Sequence, residues 1–290
     1  MEHQTIDFDA AALTIPGPAA SARNAHDISR FLASMLSTAD QEVVWSLTSR
    51  FFADLGFAHV LYGYSPDSRG PVLGAPEDYL ILSTLPHSVI SEMVDGGYYR
   101  MSVTFNWALN NAGLASWAMT PDEAGVGADF EVTEQALEFF SRHNMITGCT
   151  IGFPHERTRG RAVMALLGAP DKTQDDIDRL TAQTRDVIFT VAAVAHRCLS
   201  SLPYHPPGRR LTLRQREVLE WVGEGKTTAD IALIMGITPP TVEKHLRLAR
   251  ETLGVETTAH ALVKAAFLNQ MFIAQPTASG GRSAVQPLDL

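Results

Sequence analysis

The sequence predicts an α+β protein: an N-terminal α/β/α sandwich with a central antiparallel sheet, followed by an all-α helix-turn-helix domain. Three observations carry this. Helix patterns occur before, between and after short strand-like runs, an order that suits a sheet covered on both faces. The stretch SSLPYHPPGRR, residues 200–210, holds three prolines and a glycine without periodicity, as a stiff linker would. Beyond it, short helix patterns are joined by glycine corners. At 290 residues the chain is long enough for two cores. The expected organisation is a poorly ordered segment over residues 1–25, a first domain over 26–200, a linker over 201–210, a second domain over 211–272, and a disordered tail over 273–290.

In the first domain, Ile28, Phe31, Leu32, Met35 and Leu36 recur at helical spacing, as do Val44, Leu47, Phe51 and Phe52, with a break near Asp40. The runs HVLYGY, DYLILS, CTIGF and AVMALLG are short, apolar and bounded by Gly, Pro or Asp, and read as strands. VTEQALEFFSRHN reads as a helix. So does TQDDIDRLTAQTRDVIFTVAAVAHRCL, which opens with Asp175, Asp176 and Asp178 where the helix dipole favours negative charge.

Charge is unevenly divided. The whole chain carries a net charge of −9, but residues 1–208 carry −11 and residues 209–272 carry +2. An acidic body repels nucleic acid and anionic membranes, so a nucleic-acid contact falls to the second domain. The N-terminus lacks the basic region of a signal peptide, and no apolar run reaches the length of a membrane span. A cytoplasmic protein with no membrane contact is expected. Cys149 and Cys198 are too few for a disulfide framework and read as inert core thiols. The ten histidines show no metal spacing, with His143, His155 and His196 reading as surface or satisfied core residues. With no serine elbow or phosphate loop either, neither enzyme activity nor a cofactor is expected.

In the second domain, Leu211, Val218, Leu219 and Val222 share a helical face that ends at Gly225. Thr227 or Thr228 can cap the next helix, ADIALIM, and Gly236 supplies a positive-φ corner. Thr238 then caps a helix with Pro239 at its first position. In that helix Val242, Leu246, Ala249 and Leu253 face the core, and Glu243, Lys244, Arg247 and Arg250 lie opposite. Two short helices around a glycine turn place the second in the DNA major groove. Arg247 is suited to guanine and Glu243 to cytosine, with Lys244 and Arg250 better placed for phosphate. The competing reading of Glu243 and Arg247 is a surface ion pair four residues apart. One such helix reads only a few base pairs, so a homodimer on a double-stranded promoter operator is expected. Val187–Leu199, with small Ala192, Ala193 and Ala195, offers a face for it.

The span LTLRQREVLEWVGEGKTTADIALIMGITPPTVEKHLRLARETLGVETTAHALVKAAF resembles the DNA-binding domain of LuxR-type transcription regulators along its full length. The resemblance adds Lys226, Thr227 and Thr241 to the DNA-contacting set. It also implies a final helix from Thr258 to about Met271, often used for pairing DNA-binding domains. One departure is ETTAH, where the family usually has a basic residue after the valine. No receiver-domain pattern precedes it, since Lys is absent before Lys172. Instead FADLGFAHVLYGY, GGYYRMSVTF, LASWAM and NMITGCTIGF resemble an autoinducer-binding domain in order and spacing.

That resemblance implies a quorum-sensing ligand, yet three polar anchors for acyl-homoserine lactones are replaced. Leu85 stands at the tyrosine, Val89 at the tryptophan, and Ser102 with Val103 at the Asp-Pro pair. Trp117 is retained, and Thr104 and Thr150 match polar pocket positions. Burying the ligand's amide and carbonyl without their partners costs about 1–3 kcal/mol each. Tyrosines cluster between Tyr62 and Tyr99, and aromatic walls with hydroxyl tips suit a flat or aromatic small molecule. Tyr62, Tyr64, Tyr79, Leu85, Val89, Met93, Ser102, Thr104, Trp117 and Thr150 form the candidate ligand site. The expected function is a LuxR-type regulator sensing a small molecule other than a standard acyl-homoserine lactone. Two alternatives stand beside it: a ligand-independent dimeric regulator, and a true lactone receptor with displaced anchors.

Overall fold

The computed structural model describes residues 21–68, 73–127, 130–154, 160–204, 206 and 208–272. The expectations of poor order over residues 1–20 and over the tail 273–290 lie outside the described residues, as does His155. The chain divides into two compact units, Met1–Pro207 and Gly208–Leu290.

The first unit opens with helix α1 (Ser21–Leu36), which begins inside the segment expected to be poorly ordered, and α2 (Gln41–Asp54). The break at Asp40 is an N-cap: its carboxylate accepts from the backbone N–H groups of Glu42 and Val43. Then follow β1 (Phe57–Ser65), β2 (Leu80–Ser83), α3 (His87–Asp95), α4 (Val103–Ala108), β3 (Gly113–Ser116), α5 (Pro121–Ala124), α6 (Glu134–Arg142), β4 (Gly148–Gly152), β5 (Arg161–Gly168) and α7 (Gln174–Ser201). The five strands form one sheet in the order β2-β1-β5-β4-β3, every pair antiparallel. The four strands and four helices (α1, α2, α6 and α7) read from the sequence are present here. β3 is an addition, too short and too rich in small residues to read as a strand. α3, α4 and α5 are additions too.

Side chains alternate between the two faces of the sheet. Val60, Tyr62, Cys149, Ile151, Met164 and Leu166 point to the face covered by α1, α2 and α7, where Phe31, Phe52, Ile188 and Val191 complete the main core. On the other face, Leu61, Ala165 and Leu167 pack with Leu85, Val89 and Met93 of the α3 segment and Phe139 of α6. Ala192 and Ala195 of α7 are fully buried in the main core. Of the three small residues expected on a dimer face, Ala192 and Ala195 are thus taken up by the protein's own sheet packing, while Ala193 is only half-buried.

Two polar features hold the main core. The Tyr62 hydroxyl lies 2.9 Å from His196 Nδ1, and the His196 ring stacks on Phe153 with centroids 4.5 Å apart. Burial pulls the His196 imidazole down to about 4, with Arg197 nearby acting in the same sense. Cys149 is buried and its thiol is pushed up to about 12, mainly by that burial, so it is inert as a nucleophile. The segment expected as linker begins docked on this unit: Leu202 and Tyr204 pack on the core, and the Tyr204 hydroxyl donates to the Tyr79 carbonyl at 2.5 Å.

The second unit comprises α8 (Leu213–Gly223), α9 (Thr228–Met235), α10 (Pro239–Leu253) and α11 (Thr258–Phe267). Thr212 and Thr227 are reciprocal capping boxes with Gln215 and Asp230. Gly236 closes α9 at φ 65° and Gly254 closes α10 at φ 66°, the left-handed corners that glycine adopts without strain. Val242, Leu246, Ala249 and Leu253 of α10 are buried as their spacing predicts. The unit closes on itself through Gln270, whose carbonyl accepts from Leu211 N–H and whose amide donates to the Arg209 carbonyl.

Candidate functional site

Between the α3/α4/α6 side of the sheet and those helices lies a cavity of about 340 Å³, within the range of small-molecule sites. Its wall is mostly apolar, as such sites are. Its polar end is built by a match of periods. Thr104 and Ala108 lie one turn apart on α4, and Thr150 and Gly152 lie two residues apart on β4, so the pairs meet in register. Thr104 Oγ1 is 2.8 Å from Thr150 Oγ1. Gly152 makes this approach possible: a Cβ there would lie 2.1 Å from the Asn111 carbonyl oxygen and 3.0 Å from that of Ala108.

The hydroxyls form a chain. The Trp117 indole N–H donates to Thr150 Oγ1 at 2.8 Å, Thr150 meets Thr104, and Ser102 Oγ follows at a longer 3.4 Å. Ser102 is the N-cap of α4, accepting from Phe105 N–H. Thr104 and Thr150 are buried. The three hydroxyls share at most two bonds among themselves, so at least one O–H is left to donate to a ligand. A second wall is aromatic. Tyr79, Tyr99 and Phe105 meet edge to face, with centroids 6.5 Å and 5.2 Å apart, and the Tyr79 hydroxyl is anchored on the Gly74 carbonyl at 2.8 Å.

Of the residues expected in the ligand site, Tyr64, Tyr79, Met93, Ser102, Thr104, Trp117 and Thr150 border the cavity. Three do not. Tyr62 points through the sheet to the opposite core, where its hydroxyl meets His196. Tyr64 borders the cavity while its ring packs at 6.0 Å from His196. Leu85 and Val89 are buried with Phe139, Met145 and Leu167 in the cluster beside the cavity. The sequence reading missed Tyr99, Phe105, Phe140 and Arg161, all of which line the wall. Continuing the alternation of β5 from Ala165 and Val163 back to Arg161 is the signal that could have found the last of these.

In the second unit, Glu243, Lys244 and Arg247 are exposed on one side of α10. The ion pair considered between Glu243 and Arg247 does not form: Arg247 Nη1 pairs with Glu251 Oε1 at 2.6 Å, and Glu243 Oε1 accepts a hydrogen bond from the Thr228 hydroxyl at 2.9 Å. Arg250 donates to Thr258 Oγ1 at 2.9 Å, tying α10 to α11. The Thr241 hydroxyl pairs with that of Thr238 at 2.9 Å, so Thr238 occupies the N-cap position without capping a backbone N–H. Thr227 is held by its capping box, whose hydrogen bonds lower the Asp230 carboxyl below its ordinary value, and Lys226 is exposed beside it. No helix among the described residues is long and apolar enough to cross a membrane.

A sandwich enclosing a ligand-sized cavity, joined to a helix-turn-helix unit, has the two parts of a ligand-linked DNA-binding regulator. The chain belongs to the LuxR family of transcription regulators: residues 40–199 match the autoinducer binding domain, and residues 209–265 match the bacterial regulatory proteins of the luxR family. It is 22% identical to the transcriptional activator protein AnoR of Acinetobacter nosocomialis over 82% of this chain and 95% of that one. It is 26% identical to the transcriptional activator protein SolR of Ralstonia nicotianae over 78% of this chain and 91% of that one. Among solved structures, that of Escherichia coli SdiA covers 86% of this chain and all of its own, at 16% identity and a TM-score of 0.48. The relatives are transcription regulators rather than enzymes, the helix-turn-helix unit implies DNA binding, and the autoinducer binding domain implies a small-molecule ligand.

Proposed function

We propose that this regulator senses a small molecule other than a standard acyl-homoserine lactone, in the cytoplasm, and binds operator DNA as a homodimer. In this reading residues 26–200 sense, 201–210 link and 211–272 bind DNA. The observation that carries it is the polar end of the cavity. It holds hydroxyls and one indole N–H that already donates to Thr150, while Leu85 and Val89 add only apolar surface beside it. A lactone's amide N–H would find no carboxylate acceptor among the described lining residues. The edge-to-face wall of Tyr79, Tyr99 and Phe105 supports a ligand with a flat or aromatic part. Thermal-shift titration of the full chain with lactones of short and long acyl chains tests this. An unchanged Tm is expected, whereas a ligand present at a hundred times its Kd would stabilise by about 2.7 kcal/mol. Strong stabilisation by a lactone would overturn the reading.

On DNA, Arg247 reads a base and Lys244 a phosphate. Arg247→Ala is expected to lose about 2 kcal/mol of preference for the operator over scrambled DNA, while Lys244→Ala weakens both alike. Exchanging Glu251 for a base edge costs Arg247 little, because an exposed ion pair contributes about 0–1 kcal/mol. Binding titrations at one salt concentration decide the matter, and equal losses on both DNAs for Arg247→Ala would make it a phosphate residue.

A further inference from the structure

The cavity has a second polar pole. Arg161, the first residue of β5, lines the wall at the end bounded by Ser65, Leu73 and Leu109. Its Nε donates to the Leu109 carbonyl at 3.1 Å and its Nη1 to the Gly160 carbonyl at 2.8 Å. Both partners are neutral, and no carboxylate pairs with the guanidinium among the described residues. The two bonds use two of its five N–H donors, leaving three, including both on Nη2. The described residues of the lining include no aspartate or glutamate, so the charge they place on the wall is positive.

The distance between the poles follows from the register. Thr150 of the hydroxyl chain is paired with Ala165, four residues along β5 from Arg161. At a rise of about 3.3 Å per residue that is about 13 Å. Between them the wall is apolar, with Val163 and Ala165 on the floor. A half-buried guanidinium held in place by backbone carbonyls, with donors left over and no counter-ion among the described residues, is a preorganised seat for an anion.

We propose that the ligand is a carboxylic acid, its carboxylate on Arg161 and its apolar or aryl body running along β5 toward the hydroxyl chain, where a carbonyl or hydroxyl oxygen can accept the remaining O–H. The proposal rests on the reading of this cavity as the sensor site. It adds to that reading the charge of the ligand and the end at which it binds. A guanidinium with only a structural role in tying β5 to α4 would not distinguish an acid from its ester.

Isothermal titration of the full chain with octanoate, decanoate and 3-(4-hydroxyphenyl)propanoate, each against its methyl ester, reads this directly. At least one acid is expected to bind about tenfold or more tightly than its ester. R161Q should bring that ratio near one, chiefly through loss of acid affinity, and R161K should keep part of the preference. Acid and ester binding equally to the wild type overturn the proposal while the sensor reading stands. An acid preference that survives R161Q overturns it too. Binding of neither acid nor ester overturns it together with the sensor reading. If R161Q does not fold, the wild-type ratio and its response to R161K still decide.

Discussion

Gly152→Ala is expected to destabilise the first domain by about 3 kcal/mol, at the upper end of what overpacking a close contact costs. The added methyl would fall 2.1 Å from the Asn111 carbonyl oxygen, with the Ala108 carbonyl oxygen and Cα about 3 Å away, and all of these are backbone atoms. A flexible side chain could swing aside, but a helix end must be pushed bodily off β4. The same movement separates Thr104 from Thr150, which lie 2.8 Å apart because α4 comes so close. Urea denaturation measures the stability loss, and small-molecule titration should show weakened ligand binding in whatever fraction remains folded. A variant with wild-type stability would mean that α4 yields without cost and that the glycine does not set the hydroxyl chain.

Acid is expected to remove about 3 kcal/mol of stability through His196 alone. Burial holds its imidazole near 4 in the folded protein against an ordinary value of 6.5. Between those values the unfolded chain takes up a proton that the folded one refuses, so stability is fully present above about pH 6.5 and is lost as pH falls toward 4. The difference of about 2.5 in pKa at about 1.4 kcal/mol each gives the magnitude. The groups facing the ring are the Tyr62 hydroxyl, Tyr64, Phe153 and the neighbouring Arg197, none of them an anion that would favour the imidazolium. Denaturation of wild type and His196→Gln at about pH 7 and about pH 4.5 isolates the effect from that of the capping carboxylates. Glutamine keeps an acceptor for Tyr62 and does not titrate, so its stability should fall less. Equal losses in the two proteins would place the acid sensitivity elsewhere.

The helix-turn-helix unit was legible in detail because its determinants are local. Thr212, Thr227, Gly236 and Gly254 each act within four residues of their own position, and the spacing of Val242, Leu246, Ala249 and Leu253 shows the buried face directly. The ion-pairing of Arg247 was not legible, because Glu243 and Glu251 flank it symmetrically, four residues away on either side. Glu243 is drawn to Thr228 on the preceding helix, a contact between residues 15 apart in the chain. In the first domain the apolar runs of β1, β2, β4 and β5 stood out, whereas β3, built from Gly113–Ser116, did not. Its strand conformation is imposed by pairing with β4 and not by its own residues.

The sequence by itself determined the two-domain order, the helices and corners of the helix-turn-helix and, through resemblance, the residue types at the polar end of the cavity. Which face of the sheet each tyrosine occupies was decided only by tertiary structure. A strand's alternation tells that Tyr62 and Leu61 point to opposite sides, and it is silent on which side holds the cavity. That depends on α7 covering one face and α3, α4 and α6 the other, so Tyr62 went to His196, 134 residues away. The hydroxyl chain likewise joins Trp117 to Thr150 across 33 residues and Thr104 to Thr150 across 46. Caps and helical spacing act over a few residues and can be read in order along the chain. A cavity is made by surfaces that become neighbours only when the sheet closes between its helices.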